Sequence, residues 1–433
     1  MMDKNILRLA IPNIISNITV PLLGMIDMFI VGHLSSELYI GAIAIAVMLF
    51  NLLYWSFSFL RMGTSGFTAQ AYGAKNHQEV VNVLLRSLLV AFLGGILIIL
   101  FQYFILNIAL HFIQGSAEVL TLAADYFYIY VWAAPAVLGM YAFTGWFIGM
   151  QDAKTPMTVA IAVNVINIVA SLTLVFVFKW ELKGVALGSA IAQISGFLLC
   201  LSIWFAKYKS LRKYVHSKFV KNLADLIPFF QVNSNIFLRT LCLIIVSTFF
   251  TSASAKFGDI TLAVNSLMMQ LFVLFSYMMD GFAYAAEALT GRFVGEQNPS
   301  SLRLLIKRLF VWGIGLTFFF TILYVFFSES ILGILTDKES VIQLAEEYIG
   351  WALLIPIAGF SAFLWDGIFI GMTASRQMRD SMFVAMISFF VIYYLTRSSF
   401  GNNGLWFAFI VYLSMRGVMQ GIIFTQLRKK FGL

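Results

Sequence analysis

The sequence predicts an all-α polytopic membrane protein, with twelve transmembrane helices in two pseudo-symmetric six-helix lobes. Three observations carry this. Of 433 residues, 61% are hydrophobic and only 11% charged, too little polar surface for a soluble protein of this size. Apolar stretches of about 20 residues, enough to cross a bilayer, recur from residue 6 to residue 426 with short polar breaks. The second half of the chain also repeats the first in register.

The expected spans are residues 6–32, 39–71, 80–110, 119–149, 157–178, 184–206, 226–254, 260–290, 304–328, 341–372, 381–396 and 404–426. Several exceed the minimal length, which implies tilt or extension beyond the bilayer. The first carries Pro12, Pro21 and Asp27 and lacks the short apolar core and small-residue exit site of a cleaved signal peptide, so it is expected to remain as the first helix. The longest polar stretch, Lys207 to Asp225, is basic and divides the chain into an N-terminal lobe (1–206), a cytoplasmic linker (207–225) and a C-terminal lobe (226–433). It reads as a topogenic loop, or as a contact for anionic lipid headgroups.

Formal net charge is +8, and 20 of the 28 Lys and Arg residues fall in alternate loops starting with the amino terminus. The positive-inside rule then places both termini in the cytoplasm. The bilayer is the expected partner of this basic excess, and nucleic acid is not.

At an offset of 222 residues, Phe147-Ile148-Gly149-Met150 aligns with Phe369-Ile370-Gly371-Met372, Gly73 with Gly295, Asn76 with Asn298 and Tyr126 with Tyr348. Pro135 and Pro356 agree within one residue. Six spans per half, an even number, make the halves enter the membrane in the same direction, related by an axis along its normal. Duplicated halves of this kind are the usual frame of alternating-access transport, although channels also contain repeats.

Charges within spans are functional candidates, because burying them in hydrocarbon is unfavourable unless they are paired or hydrated. Those at membrane depth, away from the span ends, are Asp27, Arg61, Arg239, Asp280, Glu287, Asp366 and Arg416. None has a charged counterpart at the 222 offset, so the scaffold is duplicated and the charges are not. Asp27 lies in the outer part of the first helix, away from Arg61, the nearest obvious cation of its half. Such a carboxylate can take up and release a proton during transport, or can serve structurally by accepting hydrogen bonds from neighbouring amides. Asp280 and Glu287, seven residues apart, share one face of the eighth helix, and Arg239 lies at a depth similar to Asp280. An ion pair stabilising this half is the first reading and a substrate or gating role the second, with Arg61 a further possible partner of Asp280. The 19 methionines and 44 phenylalanines suit a polyspecific cavity, but most must face lipid or core.

Other chemistry is not expected. Cys200 and Cys242 fall in apolar segments and read as small buried hydrophobes. Ala153-Lys154-Thr155-Pro156 lacks the glycines of a phosphate-cradling loop. None of His33, His77, His111 and His216 lies mid-span, and no Cys/His cluster has metal-ligand spacing. We therefore expect no enzyme, cofactor or metal, and energy drawn from an ion gradient.

Pro12 and Asp27 in the first helix, Gln70-Ala71-Tyr72-Gly73-Ala74-Lys75-Asn76 after the second, Gly149-Met150-Gln151-Asp152-Ala153-Lys154-Thr155-Pro156 after the fourth and Gly404-Leu405-Trp406 opening the twelfth occur in the order and spacing of one family. Over essentially its whole length the chain resembles the multidrug and toxic compound extrusion (MATE) family, particularly its DinF-like branch. The resemblance implies a V-shaped pair of six-helix lobes in a bacterial plasma (inner) membrane, exporting amphipathic, often cationic compounds in exchange for protons or sodium. Asp27 matches the family's first-helix carboxylate, and Pro12 the proline at which that helix bends when the carboxylate is protonated. Asn167, Ser171 and Ser189 match the polar set around it on the fifth and sixth helices. Ser171 replaces an acid, which weakens a sodium site because hard cations favour charged oxygens. A seventh-helix acid used by the norfloxacin-exporting branch is absent here, where Asn233, Asn235 and Arg239 stand, while its tenth-helix acid matches Asp366.

The expected function is thus a secondary active multidrug exporter, working as a monomer, that exchanges small amphipathic or cationic drugs for protons at Asp27. The alternatives are a sodium-coupled drug antiporter and a lipid-linked oligosaccharide flippase of the same superfamily. The flippase would need several cations for a diphosphate, and only Arg61, Arg239 and Arg416 are available at membrane depth.

Overall fold

A computed structural model of the chain describes residues 1–34, 36–113, 115–215, 227–336 and 338–432. The regular structure of these residues is helical throughout: α1 (Met2–Gly32), α2 (Leu38–Ser56), α3 (Phe59–Gly73), α4 (His77–Leu100), α5 (Gln102–Phe112), α6 (Ala117–Tyr130), α7 (Ala134–Gly149), α8 (Lys154–Leu172), α9 (Glu181–Lys207), α10 (Ile227–Ala255), α11 (Asp259–Gly295), α12 (Pro299–Leu335), α13 (Glu339–Gly371) and α14 (Ser375–Leu427). Helices suit this composition because each satisfies its backbone hydrogen bonds internally, as lipid requires. Among the described residues, 11 stretches are long and apolar enough to cross a membrane. The last, α14, has 53 residues and breaks at Gly401 (φ 52, ψ −126). Only glycine adopts such angles without strain, so α14 is two helices and the described residues form twelve spans, as the sequence predicts.

Three spans expected to be continuous are broken in the first half and continuous in the second. The second span splits into α2 and α3 at Phe57, just where the Ser56 hydroxyl donates to the Leu53 carbonyl at 2.6 Å and competes with the helical ladder. The third divides into α4 and α5 at Phe101. In the fourth, a 3-10 turn at Val131–Ala133 separates α6 from α7, ending two residues before Pro135. A proline removes an amide donor and disfavours helical angles in the residue before it. Its counterpart Pro356 nonetheless sits inside an unbroken α13, where Thr317 of α12 donates to the Pro356 carbonyl at 3.4 Å.

The repeat persists at the level of single contacts. Asn76 caps α4 by accepting from the Glu79 amide, and Asn298 caps α12 by accepting from the Ser301 amide, both at 3.0 Å. Positive φ angles occur at the matched pairs Lys75 (55°) and Gln297 (51°), and Gln151 (64°) and Thr373 (54°). A β-carbon at Gly145 would meet the Arg61 carbonyl oxygen at 2.2 Å, and one at Gly367 would meet that of Ala283 at 2.2 Å. The same backbone-to-backbone approach is therefore built twice, α3 on α7 and α11 on α13.

The chain forms two compact units, one of Ile15–Phe229 and one of Met1–Ile14 with Phe230–Leu433. In the second, Gly281 gives the opening turns of α1 a close seat: a β-carbon there would lie 2.3 Å from Ile14. Trp312 also donates to Asp3 at 3.1 Å. Asn265, Asn402, Ser254 and Trp406 form a buried, hydrogen-bonded knot in this unit. The linker expected at 207–225 falls largely outside the described residues; its start closes α9 and forms a 3-10 turn at Lys209–Tyr214.

In the Ile15–Phe229 unit, Asp152 ties the start of α8 to the end of α9. Its Oδ2 accepts from Lys207 at 2.6 Å, Thr155 at 2.6 Å and Tyr208 at 2.9 Å. Burial pushes the carboxyl up, but hydrogen bonds from Lys207, Thr155 and Tyr208 and the Lys207 charge outweigh it and hold the group below its ordinary 3.8. A lowered folded value means stability present at higher pH and lost as pH falls through it. Asp152→Asn should therefore destabilise the protein by about 1–2 kcal/mol equally from pH 5 to 8, and the deficit should shrink below 3.8. Thermal unfolding followed with a thiol-reactive dye, which reports exposure of buried Cys200 and Cys242, checks this.

Candidate functional site

Asp27 sits near the carboxyl end of α1 and is 5% exposed. Its neighbours come from α8 and α9. Asn167 and Ser171, four residues apart, share a face of α8 just before a π-helical turn at Thr173–Val177. Ser189 opens the face of α9 that meets them. Two glycines at helical spacing make this approach possible: a β-carbon at Gly188 would lie 2.4 Å from the Ser171 hydroxyl, and one at Gly184 would lie 3.1 Å from the Leu174 backbone. Small residues four apart are the usual means by which helices touch in a membrane.

The polar groups form a relay. Asn167 Nδ2 donates to Ser189 Oγ at 2.8 Å, and the Ser189 hydroxyl bonds the Asp27 carboxylate. Asp27 Oδ1, Asn167 Oδ1 and Ser171 Oγ are buried with no hydrogen-bond partner. Buried polar atoms are ordinarily paired, so three such oxygens on neighbouring helices make this the candidate site. Tyr126 and Tyr130 of α6 lie within electrostatic reach of Asp27, and Tyr126 also bonds Ser189. Tyr130 stands 6.0 Å from Tyr126, 6.1 Å from Tyr54 and 4.5 Å from Phe50, ring to ring. Aromatic faces beside a carboxylate attract an organic cation. The tyrosines were not picked out from sequence; the Gly184/Gly188 spacing is the signal that could have located the contact.

Pro12 lies within α1 and is buried in the other unit, where Asn13 donates to the Leu9 carbonyl at 2.9 Å. In the same unit Arg239 of α10 and Arg416 of α14 both donate to Asp366 Oδ2 of α13, Arg416 at 2.9 Å, and Gln420 donates to Oδ1 at 2.6 Å. The acid that Arg239 meets is thus Asp366, where depth alone had suggested Asp280. Asp280 instead adds to the field at Arg416. Glu287, two turns further along α11, is buried. Arg61 belongs to the Ile15–Phe229 unit, within reach of Tyr141. Gln420 is not distinctive in the sequence, since an amide near the end of a span carries no particular signal. Among the described residues no group of three or more His, Cys, Asp or Glu could hold a metal ion.

Comparison with known proteins agrees with these features. The MatE family model matches residues 12–173 and 236–396, two segments that fall on the two halves of the repeat. The chain is 36% identical to the DNA damage-inducible protein F of Escherichia coli over 98% of its own length and 92% of that protein's. It is 20% identical to the multidrug export protein MepA of Staphylococcus aureus, over 99% and 94%. The fold matches the crystal structure of MATE in the bent conformation with a TM-score of 0.89 at 18% identity, covering 100% of this chain and 97% of the other. It also matches a single-residue mutant of the Vibrio cholerae MATE transporter VcmN with a TM-score of 0.88 at 16% identity, covering 99% and 97%. With both halves matched by the family model and more than a third of its residues shared with a full-length relative, the chain belongs to the MatE family of membrane transporters, in its DinF-like branch.

Proposed function

We propose that the protein is a secondary active exporter that exchanges amphipathic, often cationic compounds for protons, with protonation of Asp27 as the coupling step. The observation that carries this is one buried carboxylate with an unpartnered oxygen, joined through Ser189 to Asn167 and flanked by tyrosine rings. A charge held so deep needs a counter-charge. An organic cation and a proton each supply one, and only one of them at a time, which is the condition for exchange.

A proton fits the donor set better than sodium. Asp27 is the one charged oxygen beside Asn167, Ser171 and Ser189, and a hard cation favours more. Asp366, held by two guanidiniums and an amide, has no free role as a second exchanger. The basic loops favour cytoplasmic termini in a bacterial inner membrane, and the protein is proposed to work as a monomer.

Reconstituted vesicles holding a fluorescent cationic dye test the reading. An imposed proton gradient should drive dye movement, and a sodium gradient at constant pH should not. Dye movement driven by sodium alone would assign sodium antiport, and no dye movement under either gradient would favour the flippase.

A further inference from the structure

We propose that Arg239 and Arg416 form a binding site, distinct from Asp27, for the carboxylate of an aromatic amphipath. Arg239 and Arg416 are 5% and 4% exposed, yet the Nε of each has no hydrogen-bond partner. Both guanidiniums spend an Nη2 on the same oxygen of Asp366, and Gln420 occupies the other. The acid is satisfied and the bases are not. Asp280 also contributes to the field at Arg416, so the surplus here is one of N–H donors rather than of net charge. A carboxylate is the group whose geometry matches a guanidinium edge.

The surroundings specify the rest of the ligand. The Arg416 guanidinium lies 5.7 Å from the Phe363 ring centroid and 5.6 Å from that of Tyr412. Phe272 joins these rings, 6.4 Å from Phe363 and 5.5 Å from Phe409, which in turn is 6.1 Å from Tyr412. Two aromatic rings over a guanidinium, with two more packed against them, suit an aromatic body carrying one acid group.

The fold does not require these charges. At the 222 offset the first half has Asn17, Thr144, Ile194 and Leu198 in place of Arg239, Asp366, Arg416 and Gln420, and the duplicated backbone approach at Gly145 and Gly367 is the same in the half that lacks them. An unpaired scaffold role would be expected in both halves, and a ligand role in one.

Equilibrium binding to the purified full-length protein at pH 7, with no ion gradient, tests the site independently of coupling at Asp27. The probes are 1-naphthoate and its neutral isostere 1-naphthamide. We expect the acid to bind at least ten-fold more tightly than the amide. In Arg416→Lys, which keeps a cation for Asp366 but removes the guanidinium edge, the acid should fall to the affinity of the amide while the amide is unchanged. Equal affinities of acid and amide for the unaltered protein would overturn the proposal whatever the variant does. So would an acid preference that survives Arg416→Lys.

Discussion

Asp27→Asn should abolish proton release driven by drug addition to reconstituted vesicles, lowering it at least ten-fold, while the protein still folds and still binds neutral amphipathic compounds. The substitution is nearly isosteric, so the Ser189 hydrogen bond and the contact of α1 with α8 and α9 can persist. What disappears is the charge and the site of protonation. Ten-fold corresponds to about 1.4 kcal/mol, well below the several kcal/mol by which a buried carboxylate and an organic cation are coupled in low dielectric, so the expected loss is a lower bound. Ser189→Ala should have a smaller effect, because it removes the hydroxyl that joins Asp27, Asn167 and Tyr126 but leaves the carboxylate. Unchanged drug-driven proton movement in Asp27→Asn would show that coupling lies elsewhere.

Gly145→Ala and Gly367→Ala should each lower thermal stability by about 2 kcal/mol. Alanine is the better helix former, by up to about 1 kcal/mol. Against this, each new methyl would stand 2.2 Å from a backbone carbonyl oxygen, of Arg61 in one case and Ala283 in the other. A backbone atom cannot rotate away as a side chain can, so the helices must part, and overpacking of this kind costs about 3 kcal/mol. The steric term outweighs the propensity term. Because the sites lie in separate units, the two losses should add. Gly315→Ala is the control: nothing lies within 4 Å of a β-carbon there, and it should be neutral or stabilising. The thiol-reactive unfolding assay measures all three, and a tolerated Gly145→Ala beside a damaging Gly367→Ala would mean that the duplicated contact is not equivalent in the two halves.

Much of the site's membership is legible in the sequence. Asp27 stood out because an acid in a long apolar stretch is energetically costly, and Asn167, Ser171 and Ser189 entered through a family resemblance carried by strings at helix ends. The structure groups these four side chains. The tyrosines of α6 were not legible, since an aromatic residue in a membrane span is as compatible with lipid or core as with a ligand. The partner of Arg239 was misread for a related reason. Depth places a residue along a span but says nothing of the direction in which its helix is rotated, and Asp280 and Asp366 both lie at plausible depths. Only the packing of α10 against α13 and α14 selects Asp366.

The breaks in the first half follow the same division. Hydropathy averages over about twenty residues and passes through Phe57, Phe101 and the turn before Pro135 unnoticed, and equivalent prolines end a helix in one half and not in the other. By itself the sequence determined what depends on composition and period: a lipid-solvated, all-helical chain, twelve spans, a duplicated scaffold and the identity of the buried charges. The tertiary structure decided what depends on how helices turn and touch: which oxygens surround Asp27, which acid holds the arginines, and which donors are left over. The reason is physical. Burial of apolar length is a property each segment carries alone, whereas a hydrogen bond or ion pair between helices exists only once both have been rotated into contact.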